Sequence, residues 1–500
     1  MFGLKKLRFV DIGTGLSLMF GTAGLLVASA LHAAEPECCT PAPCRPTIQG
    51  GGCCDKVFED AAERLKNLNP GCCAPASTAC AAPAACAPAA NCCDPNAVFN
   101  GCGSGCGSKC GLLGCGLLGG ELGEPWTAIS LFDNKCGGNH FKDKGWVMGG
   151  YTQFGYQNNP DGAFTGNGPF LSQKEWHRFA LNQQYLYLGK VANGSEGLGF
   201  GFRADFIYGI DGNEAQSFGN RPGHYDYLHG WGGPGDSNPH GPYESALPQL
   251  YAEAAYKDLS VKVGHFYTPT GYEVIPSNGN FFLSHQLTWY NSEAFTHTGV
   301  LANYKVNDKL QVQAGWTLGW DTGFDQNNGG NNFLGGFIYN FDDKTSFIEA
   351  TTIGNLGWRG NGILNTAILS RKWTDKISTV HQFDIFATDL TVGGVPANFN
   401  NPTTVPGGGI TQDSISILNY AFYDLTPKVK AGIRQEWYLA DKVSYNTITY
   451  GVNVKPTANL VIRPEVRHMF SDNNSIYTGQ GYSGQLFNQT VFGVDAILTF

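Results

Sequence analysis

The sequence predicts an all-β protein, a closed antiparallel transmembrane β-barrel of about sixteen strands, preceded by a cysteine-rich, low-complexity N-terminal segment. Three observations predict it. From residue 145 the chain reads as strand after strand, many of them alternating apolar with polar side chains at period 2. Tight turns between these strands alternate with long connections rich in Gly and Asn. Charged residues make up only 15% of the chain, against the ~25% usual for soluble domains. No apolar run beyond residue 34 is long enough for a spanning helix. A sheet in hydrocarbon has to close, because an open edge leaves backbone groups unpaired there.

Residues 1–34 read as a secretory signal peptide. Lys5, Lys6 and Arg8 supply the positive start, Leu16 to Leu31 an apolar run, and Ala28-Ser29-Ala30 the small residues of a cleavage site, with Ala33 and Ala34 as rivals. Export delivers the chain to an oxidising compartment, where disulfides persist.

Residues 35–144 form the cysteine-rich segment. All 16 cysteines lie between Cys38 and Cys136, with doublets at Cys38-Cys39, Cys53-Cys54, Cys72-Cys73 and Cys92-Cys93. The Pro, Ala and Gly around them cannot bury much apolar area, so the segment reads as a linker. Asp55 to Leu68 has helical spacing. The doublets are candidates for disulfides within or between chains; metal binding and a plain spacer are the other readings. The Cys102-x3-Cys106-x3-Cys110 run lacks the Cys-x2-Cys spacing and the His of a zinc knuckle.

From residue 145 the expected strands are 146–155, 181–190, 197–209, 249–257, 259–267, 295–306, 309–320, 332–342, 345–354, 363–374, 376–388, 413–424, 427–439, 445–455, 458–468 and 490–500. Leu310, Val312, Ala314, Trp316, Leu318 and Trp320 make one face of the clearest, with Gln311, Gln313 and Thr317 opposite. Elsewhere the polar faces carry Arg203 and Asp205; Lys430, Arg434 and Glu436; and Arg463, Glu465 and Arg467. Glu349 is a further charged candidate for the lumen. The long connections are 210–248, 268–294, 321–331, 389–412 and 469–489, with 440–444 the one short member of that series. Short turns on one rim and long loops on the other is the layout of an outer-membrane barrel. About sixteen strands enclose a lumen too wide for side chains to fill. Aromatics near strand ends (Trp316, Trp320, Trp373, Trp437, Tyr438, Tyr267 and Tyr272) are candidates for interfacial girdles.

The stretch Thr490 to Phe500 sets Phe492, Val494, Ala496, Leu498 and Phe500 on one face, and Gly493, Asp495 and Thr499 on the other, with Ile497 the misfit. It resembles the closing strand of bacterial outer-membrane barrels, whose terminal Phe is taken to be read by the assembly machinery. The segment Val261 to Glu273, with its Gly264, Phe266-Tyr267, Thr268-Pro269 and Gly271-Tyr272-Glu273, is similar to a strand and turn of the OmpL-like β-barrel porins, as is Gln249 to Glu253 upstream. That resemblance covers about 146–500. It implies an outer-membrane pore without naming a solute.

By likeness to general porins with sixteen strands, the loop 268–294 folds into the lumen. Glu273, Asn278, Asn280, His285, Trp289, Tyr290 and Glu293 then become constriction candidates, facing Arg203, Lys430, Arg434, Arg463 and Arg467. An external surface lid is the other reading of this loop. No catalytic pair recommends itself: Ser284 and His285 are adjacent on an extended chain and point apart. His224, His229 and His240 with Asp226 and Asp236 match no metal spacing, and Asp325 to Asn332 has too few carboxylates for calcium. The expected protein is thus a porin, not an enzyme, without cofactor or nucleic-acid partner, passing small polar solutes or ions and assembling as a homo-oligomer, a trimer in general porins. Over 145–500 there are 21 Lys and Arg against 29 Asp and Glu, a difference of −8 that suggests a weak cation preference. A structural or surface-display barrel cross-linked by disulfides is the alternative.

Overall fold

The computed structural model describes residues 121–134, 138–158, 178–221, 223–227, 243–392, 395–396, 411–472 and 487–500. The expected signal peptide, residues 35–120 with their helix, every cysteine, and His229, Asp236 and His240 lie outside these residues.

Sixteen strands close into one antiparallel barrel. They are β1 Trp146–Gln157, β2 Arg178–Lys190, β3 Leu198–Gly209, β4 Glu244–Tyr256, β5 Leu259–Tyr267, β6 Thr296–Lys305, β7 Leu310–Trp320, β8 Asn331–Asp342, β9 Thr345–Asn355, β10 Asn361–Lys372 and β11 Ile377–Thr388. After a small separate hairpin, β12 Thr391–Val392 with β13 Val395–Pro396, come β14 Asp413–Thr426, β15 Val429–Ala440, β16 Val443–Thr457, β17 Leu460–Ser471 and β18 Gln489–Thr499. Each expected strand overlaps one of the sixteen. The hairpin was not foreseen.

Closure is made by β1 and β18, registered from Tyr151 against Thr499 to Gln157 against Gly493. Phe500 extends that ladder: its N–H donates to the Gly150 carbonyl at 2.9 Å, and the Gly150 N–H donates to its carbonyl at 2.8 Å. Phe492 and Leu498 are exposed on the outer wall, while Asp495 faces inward. Ile497, the misfit of the pattern, is fully buried in an inner cluster with Tyr151, Tyr185 and Ile207. The apolar residue there fills the lumen side.

The outer wall is apolar over β3 to β6, presenting Phe200, Phe206, Leu250, Val263 and Val300, as lipid contact requires. Trp316 and Trp373 also stand exposed there, and Trp437 is partly so. Four other girdle candidates face inward instead. Trp320 and Tyr438 are fully buried, and Tyr267 and Tyr272 pack against inner clusters. For Trp320 the cause is a register shift: His297 pairs with Trp320 but Gly299 with Thr317, so β7 holds one extra residue. Gly319 takes φ +107 within this bulge. An extra residue reverses the parity of the strand beyond it, and Trp320 turns from the face of Trp316 to the other.

The two rims differ as the connection lengths imply. The short-turn rim carries turns such as Lys257-Asp258, which separates β4 from β5. The long-loop rim has two short members, 356–360 and the Asp441-Lys442 pair between β15 and β16. Asp441 and Lys442 sit at φ 47 and 75, the left-handed pair of a type I′ hairpin turn. The carboxylate of Asp441 also accepts the Asp413 N–H at 2.9 Å. On the other rim, residues ahead of the barrel are anchored where Trp126 N donates to Asn459 Oδ1 at 2.8 Å and Asn459 Nδ2 donates to Trp126 O at 2.6 Å. A left-handed conformation costs a residue with a Cβ about 1–2 kcal/mol. Lys442→Gly is therefore expected to raise the temperature at which the barrel loses its compact gel migration, and Lys442→Val to lower it, read by heat-modifiable electrophoresis.

Candidate functional site: the inward loop between β5 and β6

The connection between β5 and β6 lies inside the barrel, held against the wall by side chains of the strands around it. Its chain is locally shaped first. Asn280 Oδ1 accepts the Val274 N–H at 2.9 Å and Asn280 Nδ2 donates to the Val274 carbonyl at 2.6 Å, closing a small turn. A short helix, Leu287–Ser292, follows, and Trp289 stacks between His285 and Phe295 at centroid distances of 4.0 and 4.3 Å.

Three carboxylates then bind loop backbone. Glu465 accepts the N–H groups of Leu283 and Ser284 at 2.8 and 3.1 Å. Glu436 accepts those of Leu287 and Thr288, both at 2.9 Å, and the Thr288 hydroxyl at 2.9 Å. Glu273, in the loop itself, accepts the Gln286 N–H and the Tyr420 hydroxyl, each at 2.9 Å. Three arginines bind its carbonyls. Arg434 donates to Ser284 O at 2.7 Å and to the Glu273 carboxylate at 2.5 Å. Arg467 donates to His285 O at 2.6 Å. Arg463 donates to Ser277 O and Asn280 O at 2.9 and 2.6 Å, while also holding Asp495. On the flanking strands β2, β1 and β11, Gln183 donates to Ile275 O at 3.0 Å, Ser277 N donates to the Tyr151 hydroxyl at 3.0 Å, and Tyr272 N donates to Gln382 Oε1 at 3.0 Å. Apolar contact completes the fit: Phe281 and Phe282 pack on the inner wall at Ile348, Ile368, Val380 and Leu418.

The structure thus brings Glu273, His285, Arg434, Glu436, Arg463, Glu465 and Arg467 together, each buried. None of the charges expected to face one another across open water does so. They are matched to each other and to loop backbone. Glu293 is buried nearby, where Gln382 Nε2 donates to it at 2.7 Å and to Asp384 at 2.8 Å. Arg203 and Asp205 pair on another sector of the wall, with the Arg203 guanidinium 4.1 Å over the Tyr187 ring. Beside them Tyr251, Glu253 and Lys262 are only partly covered, and Lys262 Nζ lies 4.9 Å from the Tyr251 ring centroid. Lys430 is at the short-turn rim, 3.7 Å from Asp424, in a cavity of about 660 Å³ that Lys309, Lys344 and Lys372 also line. Glu349 lies on the outer wall: Ile348 and Ala350 occupy the inward positions of β9, so alternation turns Glu349 out. Asn278 is exposed, and Tyr290 packs against the cluster around Trp289.

The residues missed from sequence are the neutral partners: Tyr151, Gln183, Gln382, Tyr420, and the acid Asp384. Their alternation along each strand was readable, but their role was not: an amide or phenol on a strand carries no charge signal, and the charge of Asp384 does not say that it meets Gln382 beside Glu293. Ser284 and His285 make no catalytic dyad, since His285 Nδ1 is 3.1 Å from Glu273 and Ser284 Oγ 3.1 Å from Arg434. His297 meets Thr268 at 3.1 Å while Glu293 meets Gln382. In the outer loops His224 is 2.9 Å from Asp325, and Asp226 accepts the Ser217 and Leu247 N–H groups at 2.9 and 2.7 Å. Among the described residues no group of three or more His, Cys, Asp or Glu is arranged to hold a metal ion.

Burial pushes the Glu273 carboxyl up, but Arg434 and His285 more than reverse this and hold it at about 2. Burial and the neighbouring Asp384 push Glu293 well above the ordinary carboxylate range.

The family model described as "Putative beta-barrel porin-2, OmpL-like" matches residues 141–500, and the chain belongs to that family of β-barrel porins. The barrel is also similar to solved outer-membrane proteins. The channel DcaP of Acinetobacter baumannii has 11% identity, covers 71% of this chain and 97% of its own, and has a TM-score of 0.44. The anion-selective porin of Comamonas acidovorans has 13% identity, 71% and 99% coverage, and a TM-score of 0.44. OmpF of Salmonella typhi has 11% identity, 72% and 99% coverage, and a TM-score of 0.47. A search of curated proteins finds no match. Membership of this porin family and the closed barrel place the chain in the outer membrane and point to a channel rather than an enzyme.

Two expectations test the loop. Arg434→Ala removes the guanidinium partner of the buried Glu273, a change that costs up to about 3–5 kcal/mol; the loop should detach, seen as new protease cleavage between 268 and 295 at a temperature where the barrel still migrates as folded. The raised pKa of Glu293 means that its stabilising contribution is present below its unfolded value and is lost as pH rises through the folded one. Glu293→Gln should remove that loss, flattening a plot of the heat-modification temperature against pH above the ordinary carboxylate range.

Proposed function

We propose that the chain is a diffusion porin whose lumen is narrowed by the loop between β5 and β6. The observation that carries this is the loop's attachment: Glu436 and Glu465 on the wall each accept two backbone N–H groups of it, and three buried arginines hold its carbonyls. A loop tied this way defines a fixed bore. The strip of Tyr187, Arg203, Tyr251, Glu253 and Lys262 faces the lumen beyond the loop, and with Asp205 carries both signs of charge. Small polar solutes or ions suit such a path, and the acidic excess of the loops favours a weak cation preference.

In this reading residues 1–34 direct export, the cysteine-rich segment 35–144 lies on the periplasmic side with the short turns, and the long loops face outward. Phe500 is offered to the barrel-assembly machinery, and the barrels associate as a homo-oligomer, with three copies the expectation from general porins. A second reading, a structural barrel with no open path, draws on one observation: the loop is bonded to β1, β2, β11, β14, β15 and β17, much of the circumference.

Single-channel recording of the full chain in a planar bilayer separates the two. Stepwise currents with a small reversal potential of cation-selective sign in a salt gradient are expected. Silence from protein shown to be folded by heat-modifiable migration overturns the diffusion porin and leaves the structural barrel.

A further inference from the structure

The outer wall carries a polar patch that lipid does not suit. On β9 and β10, Glu349 accepts hydrogen bonds from Thr351 Oγ1 and Asn365 Nδ2, and Asn365 Nδ2 also donates to Thr351 Oγ1 at 2.6 Å. On β11, β14 and β15, His381 Nδ1 is 2.7 Å from Asn419 Oδ1, and Asn419 Nδ2 donates to Gln435 Oε1 at 2.7 Å. These five strands are consecutive around the barrel. The six residues occupy outward positions, interleaved with the exposed Phe383, Ile385, Ile417 and Ile433 and backed by the buried Ile348, Gln382 and Leu418. They sit in the middle stretches of their strands, at the height where hydrocarbon is driest. The outward pair Thr152 and Gln184 on β1 and β2 is small and neutral and satisfies itself at 2.7 Å.

We propose that this face, β9 to β15, is where a second copy of the chain binds. A carboxylate or an imidazole on a lipid face is unfavourable, most so at the midplane, and covering it with protein removes the cost. The patch is also complementary to itself. Its acid, Glu349, is on the edge strand β9; the amides of Asn419 and Gln435 are on β14 and β15, at the other edge, with His381 on β11 between them. Copies that share one orientation in a membrane are related by an axis along its normal, and such an axis brings one edge of a patch against the opposite edge in the neighbour. Glu349 of one copy thereby meets the amide donors of Asn419 and Gln435 of the next, with the interspersed isoleucines supplying apolar contact. This inference is independent of whether the lumen conducts.

The test is a photo-crosslinking amino acid placed at Asn419, with Phe206 on the far outer wall as the control position, in full-length chain in native outer membrane. Expected is a product of twice the chain mass from position 419 and not from 206, the captured peptide coming from 345–372 of the second copy. In parallel, the double variant Glu349→Leu, Asn365→Leu should lose this product and the unheated oligomer band while keeping heat-modifiable migration. Capture of lipid or of another protein at 419, an equal product from 206, or an unchanged oligomer in the folded double variant overturns the proposal. Should the double variant fail to fold, the comparison of positions 419 and 206 in the otherwise unaltered chain decides alone.

Discussion

Hydrocarbon offers backbone groups no partner, and that single constraint organises the molecule. A sheet can meet it only by joining its first strand to its last. Here the joint is β1 with β18, continued by the backbone bonds between Gly150 and Phe500. Everything inside depends on this closure. Only a closed wall holds Arg463, on β17, beside Tyr151 and Gln183 on β1 and β2, so that strands from both ends of the chain bind one loop.

The loop itself obeys a second demand. A polypeptide segment brought into a barrel must find partners for its own N–H and C=O groups, and water is scarce against a packed wall. Carboxylates accept pairs of adjacent N–H groups, and guanidinium groups donate to carbonyls in several directions at once. The alternation of Arg and Glu on β15 and β17 suits both needs: Arg434 and Glu436 on one, Arg463, Glu465 and Arg467 on the other. Removing either sign would leave the other buried without compensation. Charge in this lumen is therefore first a fastening for the backbone and only second a field for solutes.

Much of the fold was legible because a strand's period, its turn residues and its apolar face are all local. Lys257-Asp258 and the even spacing of Leu310 to Trp316 announce themselves. What escaped was set by geometry across strands. One extra residue in β7 turned Trp320 inward, and no local pattern marks a bulge whose register is fixed by β6. Glu349 read as a lumen charge because alternation gives two faces without saying which is inside. For the site, the charged members were identifiable as a set, since an Arg-x-Glu on a strand is conspicuous. Their partners were not. Loop carbonyls and N–H groups have no sequence signature, and Gln382 or Tyr420 looks like any inward residue.

The loop's attachments also bear on how the molecule comes to exist. Its fasteners on β14, β15 and β17 lie more than a hundred residues further along the chain. Local hairpins such as that of β4 and β5 can form early, but contacts of such sequence separation are slow to form and come late. Until β15 and β17 are in place, Glu436 and Glu465 keep their hydration and the loop its freedom. Closing the barrel and seating the loop are thus one late event, in which water is expelled from both as the last strand pairs with the first.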